Sequence, residues 1–342
     1  MGKEPYIYTG MHIPKEYRGY PRSLLDIVII IEEIAARGGS PICNALLEIA
    51  GLGTATIVNG GNEEQKKKYL PPVARGEKMG CFSLTEPGTG SDASGIKCRA
   101  ERVGDEYVIN GRKRYTSGAH VSAYIILFAV TDPGKGARGI SAFIVPTDTP
   151  GYSVLEQVKC MGLRGHQDEE LLFKDCRIPK ENLIGEEGKG LHYGLASLDE
   201  TRTTLSAGFI GLARICLESA VEYAKERTTF GKPLFHRQAL GFPLADVATE
   251  IDAARLLNYK AAWLHDKGMR HTVETAKAKI LATKAMLDAA NTTIEVYGGF
   301  GCTTRYPTER YYRDARIWSF AQGTPEIMKF IVTRDLFGKY EM

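Results

Sequence analysis

Apolar positions along the chain change their period twice. From residue 23 to about residue 70 they follow a helix: Leu24, Ile27, Val28 and Ile31 recur at three- and four-residue intervals, on one face. Gly38 and Gly39 interrupt this run, a second helix is predicted around residues 43–57, and the polar stretch 62–68 continues as a solvated helix. Pro71 and Pro72 should close the helical region, because proline has no N–H to give to the preceding turn. From residue 79 to about 185 the signal is strand and turn. Residues 106–109 and 112–115 flank Asn110-Gly111, a pair suited to the positive φ angles of a tight hairpin. Residues 124–130 and 140–145 are β-rich runs separated by Asp132-Pro133-Gly134, and residues 171–173 are a short further candidate. From Gly190 onward long helices return. Leu205, Phe209, Leu212, Cys216, Ala220 and Tyr223 keep a three-to-four spacing, and Val273, Ile280, Leu287 and Ile294 recur every seven residues, as bundle seams do.

The pattern predicts an α+β protein of three parts: an N-terminal helical domain (1–78), a central domain in the form of a β-barrel or sandwich (79–185) and a C-terminal helical bundle (186–342). A length of 342 residues suits two or three packed units. A formal charge of +3 gives no reason to expect nucleic acid. The run 24–31 is broken by Asp26 and falls far short of the roughly 20 residues that span a bilayer, so no membrane insertion is expected. The first ten residues show no export or organelle leader. Seven scattered cysteines, an odd number without a close pair, fit neither a disulfide framework nor a metal cluster, and a reducing cytoplasm is the simplest compartment.

The segment 81–92, CFSLTEPGTGSD, packs glycine and proline breakers beside hydroxyls and carboxylates, so it can bring backbone N–H groups and the Thr85 and Ser91 hydroxyls to a polar ligand edge. On composition alone it is an ordinary turn, and neither a Rossmann nor a Walker pattern occurs. As a whole it resembles the flavin-contacting signature of acyl-CoA dehydrogenases. Four more segments resemble that family in order: LDETR at 198–202, ERTTFGKP at 226–233, YGGFG at 297–301 and QGTPEI at 322–327. The resemblance runs from about His12 to Tyr340. It implies an N-terminal helical domain, a central β domain and a C-terminal four-helix bundle, with FAD as cofactor and an acyl-CoA thioester as substrate. Family members carry further helices before the stretch that Met11-His12-Ile13-Pro14 resembles, so the first domain looks shortened.

The resemblance places Phe82, Leu84 and Thr85 along the pyrimidine end of the flavin, Ser91 near the CoA or flavin phosphates, Tyr115 where a tryptophan packs on the ring, and Ser117 where a threonine hydroxyl approaches N5. It gives Arg227, Phe230, Leu234 and Gln238 to the adenine-diphosphate half of FAD across a subunit interface, with Gly298 and Gly299 contributed by a neighbouring chain. Arginine suits a pyrophosphate because its planar fork makes paired charge-assisted bonds. Glu295 replaces a glutamine there and adds negative charge; Thr324 and Glu326 complete the cofactor set. Asp199 and Arg202, three residues apart on one helix face, would contact CoA; as isolated residues they read equally as a surface ion pair.

The family reaction removes the α-proton of the thioester as hydride leaves the β-carbon, and the weak acidity of that proton calls for a positioned carboxylate. Where the family has that glutamate this chain has Gln322, whose amide cannot take a proton. Some members carry the base one residue before the arginine, here Thr201; Glu200 is adjacent but rotated by about 100° on a helix. Glu48 falls at the floor of the implied acyl pocket. There it is either a base for a γ-proton, in a 1,4-elimination on a cyclic acyl-CoA as in relatives acting on cyclohexene-carboxyl thioesters, or a hydrogen-bonded pocket residue. Three readings follow: an FAD-dependent acyl-CoA dehydrogenase passing electrons to an electron-transferring flavoprotein, a non-catalytic acyl-CoA or flavin binder, and a flavoprotein with a substrate other than a thioester. The shared FAD contacts imply a homodimer or homotetramer.

Overall fold

The computed structural model describes residues 7–37 and 39–338, and the side chains of residues 7 and 48–50 lie outside that description. Helices come first: α1 (Leu24–Ala36), α2 (Ser40–Ala45), a π-helical stretch (Leu46–Leu52), α3 (Gly53–Gly60) and α4 (Glu63–Ala74). Strands follow: β1 (Gly80–Ser83), β2 (Arg99–Val103), β3 (Glu106–Ser117), β4 (Tyr124–Val130), β5 (Ile140–Pro146), β6 (Tyr152–Val158), β7 (Asp168–Pro179) and β8 (Leu183–Ile184). Then come α5 (Gly190–Glu226), the small hairpin β9 (Thr228–Thr229) and β10 (Lys232–Pro233), α6 (Gln238–Asp266), α7 (Thr272–Tyr297), α8 (Thr308–Trp318) and α9 (Pro325–Phe337). The α+β order of helices, sheet and helices is the one the sequence predicts.

Two compact units organise the chain: one joins the segment up to Arg22 with Asn44–Lys159 and Gly165–Thr201, the other joins Ser23–Cys43, Cys160–Arg164 and the chain from Arg202. In the first unit the sheet runs β6-β7-β3-β2-β4-β5-β8, with β1 parallel to β4. Strand β4 shows how the sequence builds this unit. Successive side chains of a strand point to opposite faces. Tyr124, Ile126 and Phe128 join a core with Ile13, Ile57, Leu70 and Leu191, whereas Ile125, Leu127 and Ala129 join another with Tyr107, Ile109, Phe143 and Phe173. A strand buried on both faces reads as a continuous apolar run, as YIILFAV does.

Three local expectations change. Asn110-Gly111 lies inside the unbroken β3, at a register shift against β7. A Cβ at Gly111 would stand 2.6 Å from Cys98 Cα, so this glycine answers close strand approach; the hairpin turn lies at Gly104, φ 63°. The short candidate at 171–173 is the middle of the twelve-residue β7. Pro71 and Pro72 sit inside α4, which runs on to Ala74. The helix tolerates them near its end because an Asn62–Gln65 capping box fixes its start, and the Gln65 side chain donates to Glu181 O and Leu183 O at 2.8 Å each.

In the second unit Ser23 caps α1, its side chain accepting from Asp26 N, and Asp266 accepts from Leu24 N at 2.7 Å. Leu24, Ile27, Val28 and Ile31 are buried as their spacing predicts, and each contributes about 1.5–3 kcal/mol. Buried Glu32 is met by Arg214 and Arg255, at 2.9 and 3.0 Å. The seven-residue seam of α7 is a correction: Ile280, Leu287 and Ile294 are only half-buried. The fully buried stripe is Ala276, Ala282, Ala285, Met286, Ala289, Ala290 and Thr293, small residues that let helices pack close. Helix α5 is long and apolar enough to cross a membrane, but 67% of its most apolar window is buried within the protein, as in a core helix. All seven cysteines are free; burial pushes the Cys98 thiol up to about 11 and Cys81 to about 12, leaving them inert.

Candidate functional site

The first unit brings the predicted flavin residues together. Strand β1 runs on past Ser83 so that Thr85 O accepts from Arg114 N at 2.8 Å, laying residues 82–85 beside 114–117. Ser83 and Thr116, both buried, share a hydroxyl hydrogen bond of 2.8 Å. Phe82, Leu84, Thr85 and Ser117 stay half-buried and Tyr115 is 52% exposed. Tyr115 holds φ at 55°, a left-handed conformation that a bulky residue adopts only under constraint.

Constraint comes from a pair the sequence reading missed. Glu86 is buried; its Oε1 accepts from Lys113 Nζ and Cys98 N, both at 2.9 Å, and its Oε2 from Lys97 N at 2.7 Å. Lys113 also donates to Leu84 O at 2.9 Å. The turn from Glu86 to Thr89 is closed by two backbone bonds, and a Cβ on Gly88 or Gly90 would meet nothing within 4 Å. The loop is therefore fixed from beneath while its upper backbone stays bare. Ser91, at its far end, is exposed. The signal was available in the sequence: Lys113 falls on an inward position of β3, where a charge needs a partner.

The same unit holds Asp199, half-buried on α5, and Glu200, which turns away to pair with His12 Nδ1 at 2.8 Å. A Cβ on Gly51 would stand 3.8 Å from His12 Nε2 and 3.9 Å from Thr201 Cγ2. Glu48 lies on the π-helical stretch that contains Gly51, and its side chain falls outside the described residues. That stretch leads into α3, where a Cβ on Gly53 would collide with Gly80 O at 2.1 Å; only glycine lets the helix start against β1.

In the second unit Gln322 has φ 54° and Gly323 φ 103°, a sharp left-handed turn. Arg202 Nε donates to Gln322 O at 2.9 Å, and Lys279, 1% exposed, donates to Ala321 O at 2.7 Å and to Gly323 O. Two buried cations thus grip three consecutive carbonyls. The sequence reading identified Arg202 but missed Lys279, which lies among alanines with no local pattern to mark it. Thr324 caps α9, accepting from Ile327 N, and the Glu326 carboxyl is held below the usual range by its own backbone N–H at this helix start.

Away from that turn, α5 ends at exposed Arg227 and the β9–β10 hairpin. Phe230 at its tip is 97% exposed with φ 48°, Leu234 is buried beneath, and Gln238 is exposed. Glu295, Gly298 and Gly299 are exposed at the end of α7, where the glycines face open space.

Models of the acyl-CoA dehydrogenase N-terminal, middle and C-terminal domains match residues 8–77, 81–176 and 188–337. The chain belongs to the acyl-CoA dehydrogenase family. It is 39% identical over 338 residues to an acyl-CoA dehydrogenase of Bacillus subtilis strain 168, covering 99% of this chain and 88% of that one. The butyryl-CoA dehydrogenase structure from Megasphaera elsdenii superposes with a TM-score of 0.93 at 36% identity, covering 96% and 87%. A chain in the structure of the electron transferring flavoprotein of Acidaminococcus fermentans gives 0.94 at 37% identity, covering 97% and 87%. Membership makes the chain an FAD-dependent oxidoreductase of acyl-CoA thioesters. The first unit fits such a ring: bare backbone at Gly88 and Gly90, hydroxyls at Thr85 and Ser117, and the uncovered Tyr115 face are the donor set and surface that a polar aromatic ligand requires.

Proposed function

We propose that this acyl-CoA dehydrogenase oxidises its thioester with a base other than residue 322. Gln322, gripped by Arg202 at its carbonyl, carries this reading: an amide at the turn cannot hold the proton that must leave carbon. FAD, when bound, supplies the two-electron acceptor that receives the hydride. Phe82, Leu84, Thr85, Tyr115 and Ser117 line its ring, and Ser91, Asp199 and Arg202 hold the CoA portion. Arg227, Phe230, Leu234, Gln238, Glu295, Gly298, Gly299, Thr324 and Glu326 serve the rest of the cofactor in a homodimer or homotetramer. The exposed Phe230 and the open glycines after α7 support that assembly.

Glu48 is the base of choice. Its place on the π-helical stretch, an arrangement frequent at functional sites, supports a role at the pocket floor. There it would take a γ-proton from a cyclic acyl-CoA while hydride leaves another ring carbon, giving a dienoyl thioester. Electrons pass on to an electron-transferring flavoprotein in the cytoplasm. The missing carboxylate at 322 also favours a second reading, an acyl-CoA binder without turnover.

The visible spectrum before and after anaerobic addition of cyclohex-1-ene-carboxyl-CoA separates the two. Bleached flavin bands that Glu48→Gln abolishes, with FAD retained, support the enzyme and its base. Bleaching unchanged in that variant removes Glu48, and flavin that stays oxidised with cyclic and linear thioesters favours the binder.

A further inference from the structure

The corner where β3 ends against β7 carries a hydroxyl–carboxylate pair outside the residues the sequence singled out. Ser117 stands opposite Asp168 in the ladder, and its Oγ donates to Asp168 Oδ1 at 2.6 Å. The buried His166 ring lies behind, Nε2 3.7 Å from the same oxygen. The corner is rigid on both sides: Gly118 N donates to Gln167 O at 2.8 Å and Ala119 N to the Glu169 carboxylate at 2.9 Å. A serine hydroxyl has one proton and two lone pairs, whereas a carboxylate only accepts. With its proton given to Asp168, Ser117 can meet a further ligand only as an acceptor.

We propose that Asp168 is a positioning residue for the flavin: by committing the Ser117 proton it turns a serine lone pair toward the ring and favours reduced FAD over oxidised FAD. The inference rests on the reading above that Ser117 lines the flavin site. The relevant flavin nitrogen bears a lone pair when oxidised and a hydrogen when reduced. A freely rotating hydroxyl serves both forms, donating to one and accepting from the other. A hydroxyl locked onto Asp168 serves the reduced form alone.

The test is the reduction equilibrium of bound FAD in the purified holoprotein, measured for wild type, Ser117→Ala, Asp168→Ala and the double variant, with the visible spectrum reporting flavin retention. Ser117→Ala should shift the equilibrium toward oxidised FAD by about fivefold, the scale of one ordinary hydrogen bond. Asp168→Ala also removes a charge, and its effect in the Ser117→Ala background isolates that part. In the Ser117 background the freed hydroxyl can donate to oxidised flavin, so the shift there should lie further toward the oxidised form by about the same factor. Equal shifts in the two backgrounds would overturn the proposal. Should Asp168→Ala not fold, Ser117→Ala decides alone: an unlocked serine loses a partner in both oxidation states, so no net shift sinks the idea. A wild-type protein without flavin would instead refute the reading of the site itself.

Discussion

Replacing Lys113 with methionine removes one nitrogen from beneath the flavin loop and keeps most of the side-chain volume. Glu86 then stays buried as a carboxylate with two backbone donors, from Lys97 and Cys98, while Leu84 O loses the lysine as donor. Breaking one side of a buried ion pair costs about 3–5 kcal/mol. The surviving backbone donors place Glu86 at the low end of that range, and the abandoned carbonyl adds about 1–3 kcal/mol. A total of about 4 kcal/mol corresponds to a fall of about 8–16 °C in the melting of the unit that contains the sheet. Calorimetry reads that transition, and FAD retained through gel filtration reads the loop. The double variant Lys113→Met/Glu86→Gln removes both charges and should recover part of the loss. It cannot recover all of it, because an amide offers one oxygen to two backbone donors. A single variant within about 1 kcal/mol of wild type, or a double variant as unstable as the sum of the singles, would refute the account.

Gly88→Val adds a side chain that meets no protein atom, so melting should be unchanged while FAD retention drops; equal loss of both would show that the open backbone serves the fold. Gln322→Glu places a carboxylate at the turn gripped by Arg202 and Lys279 and should confer or raise bleaching by butyryl-CoA at least tenfold; no gain would mean that the turn does not face the thioester. Burial raises the Asp314 carboxyl above the usual range despite its bond from Leu163 N. The folded state therefore holds that proton more tightly than the unfolded chain, and Asp314 adds stability as pH falls from neutral through its folded pKa toward about 4. Asp314→Asn keeps an acceptor for Leu163, so the urea midpoint should gain more at pH 8 than at pH 5; parallel profiles would exclude burial of charge as the cause.

Periodicity made α1, β4 and β5 legible, because each buries enough large aliphatic side chain to print its period on the chain. The α7 seam was misread for a related reason: its buried stripe is alanine and threonine, weak in hydrophobicity but able to pack close, so the larger Ile280, Leu287 and Ile294 drew the eye to a half-buried face. Asn110-Gly111 signalled a turn locally, yet the approach of Cys98 explains the glycine without one. The segment 82–85 and Arg202 could be found from motifs. Lys113, Lys279 and Asp168 could not, since their roles depend on ladder register and carbonyl positions that no short window contains.

The π-helical stretch has a consequence for insertions and deletions. A π turn accommodates one residue more than an α turn in the same axial length, so Leu46–Leu52 behaves as a stored insertion. Losing one residue there would let the segment close into ordinary α-helix and would turn everything after it by about 100°. Gly53 would swing away from Gly80, and a residue with a side chain would arrive where there is no room for one. Chain length in this segment is thus coupled to the start of β1, and substitutions should be accepted there far more readily than a change of a single residue in length.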